Sequence, residues 1–292
     1  MASVDVKNAR WDKLWRYALL VLGAVIFIGP LLFMVMSSLK PDPQLLADTS
    51  SLRAFLPVGD ISFDNYVSAF RRAPVTTFIF NSVLVTGLTV LLSLFVCSLG
   101  AFAFVFMNWR GRDLLLGVII ATLIVPFETI AIPMLIVVNN LPWVSSHGIT
   151  IGWLNSYQVQ IVPFVADGLT IFLFAQFFKD LPRELIEACR VEGATWFQIY
   201  WRVVMPLSGP VIATAAILKF LAMYNQYLWP LMVTQAESYR PVMVGLQYFF
   251  QLNPVWGELM AYLSVITLPV LTFYLVLQRA FISSIASTGV KG

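Results

Sequence analysis

Six apolar runs leave this chain few choices of fold, because each is near the length that crosses a bilayer. They cover residues 17–39, 77–107, 114–138, 158–178, 207–224 and 258–281. A helix rises 1.5 Å per residue, so about 20 mostly apolar residues reach across the hydrocarbon core. The composition agrees: 59% of residues are hydrophobic and 11% charged, where soluble domains carry about 25% charged residues. The spacing predicts an all-α integral membrane protein with six transmembrane helices and one transmembrane domain over residues 1–292. The second run is long enough to tilt, and the fifth is short unless Leu228–Val233 extends it after a break. Pro30, Pro126, Pro133, Pro163 and Pro269 interrupt the runs. Each removes a backbone donor and favours a kink, and in lipid the freed carbonyl needs protein or water.

Lys7, Arg10, Lys13 and Arg16 precede the first run, which is too long for a signal peptide core and lacks a small-residue cleavage site after it. It is expected to remain as a span. With that end inside, the inner segments hold twelve Lys and Arg and the outer segments five: Lys40, Arg53, Arg71, Arg72 and Arg240. This bias places both termini in the cytoplasm. The outer segments are then 41–76 and 225–255, and the longest inner loop is 179–206. Cys97 and Cys189 are expected to be free thiols, because a disulfide would need both on one side and close together. The lone His147 lies in an outer loop beside Ser145, Ser146 and Gly148, which reads as a solvated turn, and no metal site is expected.

The inner loop contains a short helix with its own boundaries. Pro182 suits a helix start. Glu184 and Glu187 near that start favour the helix dipole. Leu185, Ile186 and Cys189 make a narrow apolar stripe, and Gly193 is placed to end the helix in a left-handed turn. A second amphipathic stretch follows over 195–204, and Pro206 opens the fifth run. The pattern alone leaves two roles open: an anchor lying on the membrane surface, or a helix that docks a partner.

The same loop resembles that of inner-membrane permease subunits of ABC importers. Their loop has the form Glu-Ala-Ala, three residues, Gly, nine residues, Ile-x-Leu-Pro. This chain reads Glu187-Ala188-Cys189, then Gly193, then Val203-Val204-Met205-Pro206 at the matching spacing. Cys189, Val203 and Met205 depart from the pattern but stay small or apolar. Asn65-Tyr66, Asn81-Ser82 and Tyr224-Asn225-Gln226-Tyr227-Leu228-Trp229-Pro230-Leu231 resemble the carbohydrate-uptake branch. The tail Thr288-Gly289-Val290-Lys291-Gly292 is similar to that of maltose permease subunits of the MalG type.

The resemblance implies a type I importer permease in a bacterial or archaeal cell membrane. Its cargo would be a sugar or a related polyol-phosphate, moved by alternating access. Glu187, Ala188, Gly193 and Pro206 would couple the chain to a cytoplasmic ATPase. Partners would be a homologous second permease, two ATPase subunits that carry ATP and Mg, an extracytoplasmic solute-binding protein docked on the outer segments, and the lipid bilayer; nucleic acid would not be one. The chain itself would bind no cofactor and catalyse nothing. It contains no Gly-x-x-x-x-Gly-Lys-Ser/Thr phosphate loop, so any ATPase must be another chain.

Glu128, Asp167 and Lys219 fall inside the runs. A charge at mid-membrane costs about 2.5–3.5 kcal/mol on insertion scales, so such groups turn inward and pair. Lys219 has Asp167 and Glu128 as candidate partners, either to hold the bundle together or to touch substrate. Tyr224, Asn225, Gln226 and Tyr227 set aromatic rings beside amides, a combination that suits sugars, although an interfacial aromatic belt has the same composition. A rival of another class is an ion-coupled secondary transporter using Glu128, Asp167 and Lys219. Such folds are built from internal repeats, and none is evident here.

Overall fold

The computed structural model describes the backbone of residues 6–145, 148–250 and 254–288, and side chains within residues 13–143, 148–250 and 254–278. His147 and the tail residues Gly289–Gly292 lie outside them. Among the described residues the order begins α1 (Val6–Ser38), α2 (Asp42–Asp48), α3 (Asp64–Arg72), α4 (Val75–Phe106), α5 (Arg112–Ala121) and α6 (Phe127–Asn140). A hairpin, β1 (Pro142–Ser145) and β2 (Gly148–Ile151), comes next. Then follow α7 (Tyr157–Ile161), α8 (Gly168–Lys179), α9 (Arg183–Val191), α10 (Trp196–Ile199), α11 (Met205–Leu207), α12 (Gly209–Tyr224), α13 (Leu228–Val233), α14 (Val242–Gly245) and α15 (Trp256–Thr288).

Three helices are long and apolar enough to cross a membrane: Lys13–Ser38, Val75–Phe106 and Trp256–Gln278. The other three runs are bent pairs, Arg112–Ile124 with Phe127–Asn140 at 108°, Tyr157–Phe164 with Gly168–Lys179 at 40°, and Trp196–Leu207 with Gly209–Tyr224 at 79°. The described chain thus has three candidate spans, or six if each bent pair crosses once. The kink expected at Pro126 is a full turn of the chain. Val125 is extended (φ −81°, ψ 116°), since the residue before proline is driven out of the α region. Pro126 itself is extended (φ −62°, ψ 139°), so α6 restarts in a new direction.

One expectation needs correction. The chain is not purely α-helical, because β1 and β2 pair antiparallel with Pro142 opposite Ile151 and Trp143 opposite Thr150. Leu228–Val233 is helical, as expected, and follows the fifth run after a break at Asn225, whose backbone leaves the helix at φ −85°, ψ 1°.

The chain divides into two compact units, residues 1–75 with 246–268 and residues 76–245 with 269–292. In the first, α1 is bare over most of its apolar length, with Leu20 67% and Phe27 81% exposed. Its end is well buried. Lys40, 1% exposed, donates to Asp48 Oδ2 at 2.8 Å and to the Arg53 carbonyl at 2.6 Å. Asn65 Nδ2 donates to the Ser38 and Lys40 carbonyls, so the Asn-Tyr pair singled out in the sequence closes this junction together with the Ser38–Tyr66 hydroxyl contact. Asp42 accepts from the backbone N–H groups of Trp256 and Gly257, satisfying donors that the start of α15 would otherwise leave open. Arg72 pairs with Glu258 at 2.5 Å.

The Lys40 ammonium holds the Asp48 carboxyl below its ordinary 3.8. A group whose folded value is depressed stabilises above its unfolded value and loses that contribution as pH falls through the folded value. Protection against hydrogen exchange over residues 42–55, taken relative to the intrinsic rate at each pH, should therefore be flat from pH 8 to 5 and fall only below 3.8. Asp48→Asn should remove that acid step, and a step that persists in the variant would assign it to another carboxylate.

The second unit packs α4, α5, α8 and α12 around Cys97, Phe102, Leu116, Ile171, Phe174 and Val211. Both cysteines are free thiols, Cys97 buried and Cys189 half-buried. Asn81 and Ser82, near the start of α4, are almost fully buried. Asn81 Nδ2 donates to the Ser238 and Arg240 carbonyls, its Oδ1 accepts from Tyr157 Oη at 2.9 Å, and Ser82 Oγ accepts from the Val242 N–H. The segment after α13 is fastened to α4 and α7 by these bonds.

Candidate functional site

The helix α9 forms where the sequence places it. Pro182 is its N-cap, with Arg183 and Glu184 opening the first turn. Its far end closes with two crossed backbone bonds: Gly193 N–H to the Arg190 carbonyl at 3.1 Å, and Ala194 N–H to the Cys189 carbonyl at 2.9 Å. That pair defines a Schellman closure, which requires a left-handed residue at its centre. Gly193 supplies it at φ +84°. Thr195 then caps α10 through a reciprocal box with Gln198, satisfying two of the donors a helix start leaves open.

The two short helices are seated on the apolar core of the second unit. Ile186, the centre of the apolar stripe, is 7% exposed and belongs to the same cluster as Phe102, Phe178 and Val204. Tyr200 is 1% exposed, shares a 2.8 Å hydroxyl contact with Ser98 of α4, and meets the Phe102 ring edge-on at 5.5 Å. Trp196 meets the same ring at 6.2 Å. The Arg190 guanidinium lies 4.6 Å above the Trp196 ring, tying α9 to α10. The opposite face of α9 is open: Glu187, Ala188 and Gly193 are exposed, and Val191 is 89% exposed. Pro206, also exposed, lies in α11 ahead of the bend into α12.

Lys219 and Asp167 meet. Lys219 Nζ is 2.7 Å from Asp167 Oδ2, with side chains 8% and 30% exposed. Asp167 has a second task that sequence reading missed. It is the N-cap of α8, accepting from the Thr170 N–H at 2.9 Å and from Thr170 Oγ1 at 2.9 Å. The Asp-Gly-Leu-Thr pattern just after Pro163 was the available signal. Glu128 is not part of the pair. It is exposed in the first turn of α6 and has no ion pair among the described residues.

The stretch of candidate pathway residues divides. Tyr224 is 3% exposed and stacks on Phe220 at 5.4 Å. Asn225 and Tyr227 are exposed and Gln226 half-buried. Trp229 is fully buried against Val138, Val159 and Val233, and its Nε1 donates to the Val159 carbonyl at 2.8 Å. Its ring is edge-on to Phe127 and Phe164. It acts as an internal anchor and not as part of an interfacial belt.

Comparison with known proteins gives a consistent result. The family model described as "Binding-protein-dependent transport system inner membrane component" matches residues 97–287. The arabinooligosaccharides transport system permease protein AraQ of Halalkalibacterium halodurans is 30% identical over 273 residues, covering 92% of this chain and 93% of that protein. The lactose transport system permease protein LacG of Rhizobium radiobacter is 28% identical, covering 94% of each. The sn-glycerol-3-phosphate transport system permease protein UgpE of Yersinia enterocolitica is 27% identical, covering 97% of this chain and 99% of that one. Among solved structures, a chain of a bacterial ABC transporter involved in alginate import superposes with a TM-score of 0.77 at 23% identity, covering 96% of this chain and 99% of that one. This likeness establishes a shared fold.

Proposed function

The chain belongs to the family of binding-protein-dependent transport system inner membrane components, and from that membership we propose that it is one permease of an ATP-driven importer for a sugar or sugar derivative. Relatives named for arabinooligosaccharides, lactose and sn-glycerol-3-phosphate support that cargo class. In this reading the chain crosses the bacterial cell membrane six times, each bent pair counting once, with both termini inside. It catalyses nothing itself. ATP and Mg are bound by two ATPase subunits, a homologous second permease completes the passage, and a solute-binding protein delivers cargo from outside. A bacterial alginate ABC transporter solved in complex with its pentasaccharide-bound periplasmic protein supports that last partner.

The observation that carries the reading is the loop itself. It holds a nine-residue helix that starts at Pro182 and is closed at its C-terminal end by the Gly193 and Ala194 bonds, with Ile186 buried in the apolar core and Glu187 and Ala188 bare on the outer face. A helix can pass on a push only if it is held in shape and its base is packed, and the C-terminal closure and Ile186 supply these for α9. The exposed Ala188 allows a partner surface to approach the helix backbone, with Glu187 available to a cationic group. Pro206 marks where the motion enters the bend before α12. Asn225, Gln226 and Tyr227 are the side chains best placed to meet cargo, since they are not consumed by the core as Trp229 is.

Right-side-out vesicles, loaded internally with ATP and, where used, vanadate so that both reach the cytoplasmic ATPase, test the drive. Vanadate should abolish uptake of labelled oligosaccharide, whereas a protonophore added with ATP held constant should leave it within about twofold. Loss with the protonophore alone would replace this reading with the ion-coupled one.

A further inference from the structure

We propose that the cleft beneath α9, between its inner edge and the junction of α4 with α5, is a binding site for a phosphate group. The cleft has a volume of about 430 Å³, and its lining includes Asn108, Arg112, Arg183, Glu187 and Arg190. Three arginines and one acidic residue therefore line a single concavity.

The three cations are positioned without being neutralised. Arg112 donates from one terminal nitrogen to the Met107 carbonyl at 3.3 Å and to Asn108 Oδ1 at 3.0 Å, both uncharged acceptors. Its Nε contact is to Asp113, whose side chain is 86% exposed, and a pair so open to water contributes little. Arg190 has its guanidinium carbon 4.6 Å above the Trp196 ring and donates to the Ala194 carbonyl at 3.2 Å. Stacking occupies the face of a guanidinium and leaves edge donors for a ligand. Arg183 makes no ion pair with any described residue. An anion in the cleft would relieve the mutual repulsion, and the planar fork of arginine matches phosphate oxygens in pairs.

The rest of the wall is apolar. Val105 and Phe106, the last residues of α4, line the cleft with Ile186 and Trp196. A cationic rim around an apolar wall at the end of a membrane helix fits a phosphate carrying an acyl chain. A free phosphate would use the rim alone. The two sources share the recognition chemistry, and they separate in the experiment.

The full chain, purified in a neutral detergent, is examined by native mass spectrometry with phosphatidylglycerol, with phosphatidylcholine, or with inorganic phosphate. Phosphatidylglycerol, whose phosphate keeps a net negative charge, should remain bound to the wild type at least about tenfold more than phosphatidylcholine, whose choline cation offsets the same phosphate and repels the arginines, a ratio in the range of one or two charge-assisted hydrogen bonds. Arg183→Glu should abolish that preference and Arg183→Lys should keep most of it. Arg183 is exposed and makes no internal bond, so its loss does not threaten folding. Arg110→Glu, the same charge change outside the cleft, should leave the preference unchanged. Retention by inorganic phosphate alone, lost in Arg183→Glu, would establish the site with a free anion as its ligand. Equal binding of both lipids with no phosphate retained, or equal losses in Arg183→Glu and Arg110→Glu, would overturn the proposal. The readout involves neither ATPase nor uptake, so its failure leaves the importer reading intact, and the reverse holds too.

Discussion

Gly193→Val should disconnect ATP hydrolysis from uptake, with transport falling about five- to thirtyfold while the ATPase still assembles and turns over. A β-carbon at Gly193 would have no atom within 4 Å, so no clash with neighbours contributes. The effect comes from φ alone, which stands at +84°. An L-residue held in the left-handed region is strained by about 1–2 kcal/mol, and a β-branched side chain fares worst there. At about 1.4 kcal/mol per factor of ten, that strain lowers the population of closed loops by the fold-change stated. The two crossed bonds to Arg190 and Cys189 are then lost in most molecules, and α9 frays at the end that should be rigid. A graded series isolates the cause. Gly193→Asn should retain most transport, because asparagine tolerates this conformation, with alanine intermediate and valine worst. Equal transport by the valine and asparagine variants would show that the closure carries no load.

The second large effect concerns Lys219. Changing it alone to methionine leaves the Asp167 carboxylate without its partner at the break before α8, and the chain should lose about 3 kcal/mol of stability. That is the lower end of the range for breaking a buried pair, chosen because Asp167 keeps 30% of its side chain exposed. The partner substitution should be milder. Asp167→Asn keeps an oxygen for the Thr170 N–H, and combined with Lys219→Met it should restore much of the loss, since removing both charges of a pair is often close to neutral. Detergent-solubilised chain followed by fluorescence-detected size exclusion after heating would read the order: single lysine variant least stable, double variant in between. If uptake collapses in the double variant while its thermal stability recovers, the pair touches cargo; recovery of both makes it a brace within the bundle.

Local grammar made some of this legible and distance hid the rest. Pro182, Gly193 and Thr195 announce the loop helices because caps are written in the residues that form them. The exposed and buried faces of α9 follow from Ile186 and Glu187 being adjacent on a 3.6-residue period. By contrast, the choice of Asp167 over Glu128 as partner of Lys219 depends on which of two breaks brings an acid beside α12. No periodicity reports that. Trp229 read equally well as an interfacial ring, and only Phe127, Phe164 and Val159, distant in sequence, make it an anchor. The Pro126 kink was visible, but its 108° angle came from Val125 and Pro126 both turning extended. The hairpin at 142–151 carries no clear alternation and was missed as structure altogether. Asn81 and Ser82 could be picked out by resemblance, yet their task of fastening 238–242 required the fold.

Between α10 and α11 the backbone runs through a π-helical turn, Tyr200–Val204, which accommodates one more residue per turn than an α-helix. In an α-helix each residue advances the side-chain direction by about 100°. Inserting or deleting one residue here would rotate everything downstream against everything upstream by that amount. Tyr200 and Val204 are both buried in this stretch, so the rotation would swing one of them out of its berth. The nine-residue interval between Gly193 and Val203 is thus an angular setting: an insertion or deletion between these points would misalign the two ends, while substitutions of similar bulk would leave the phase intact.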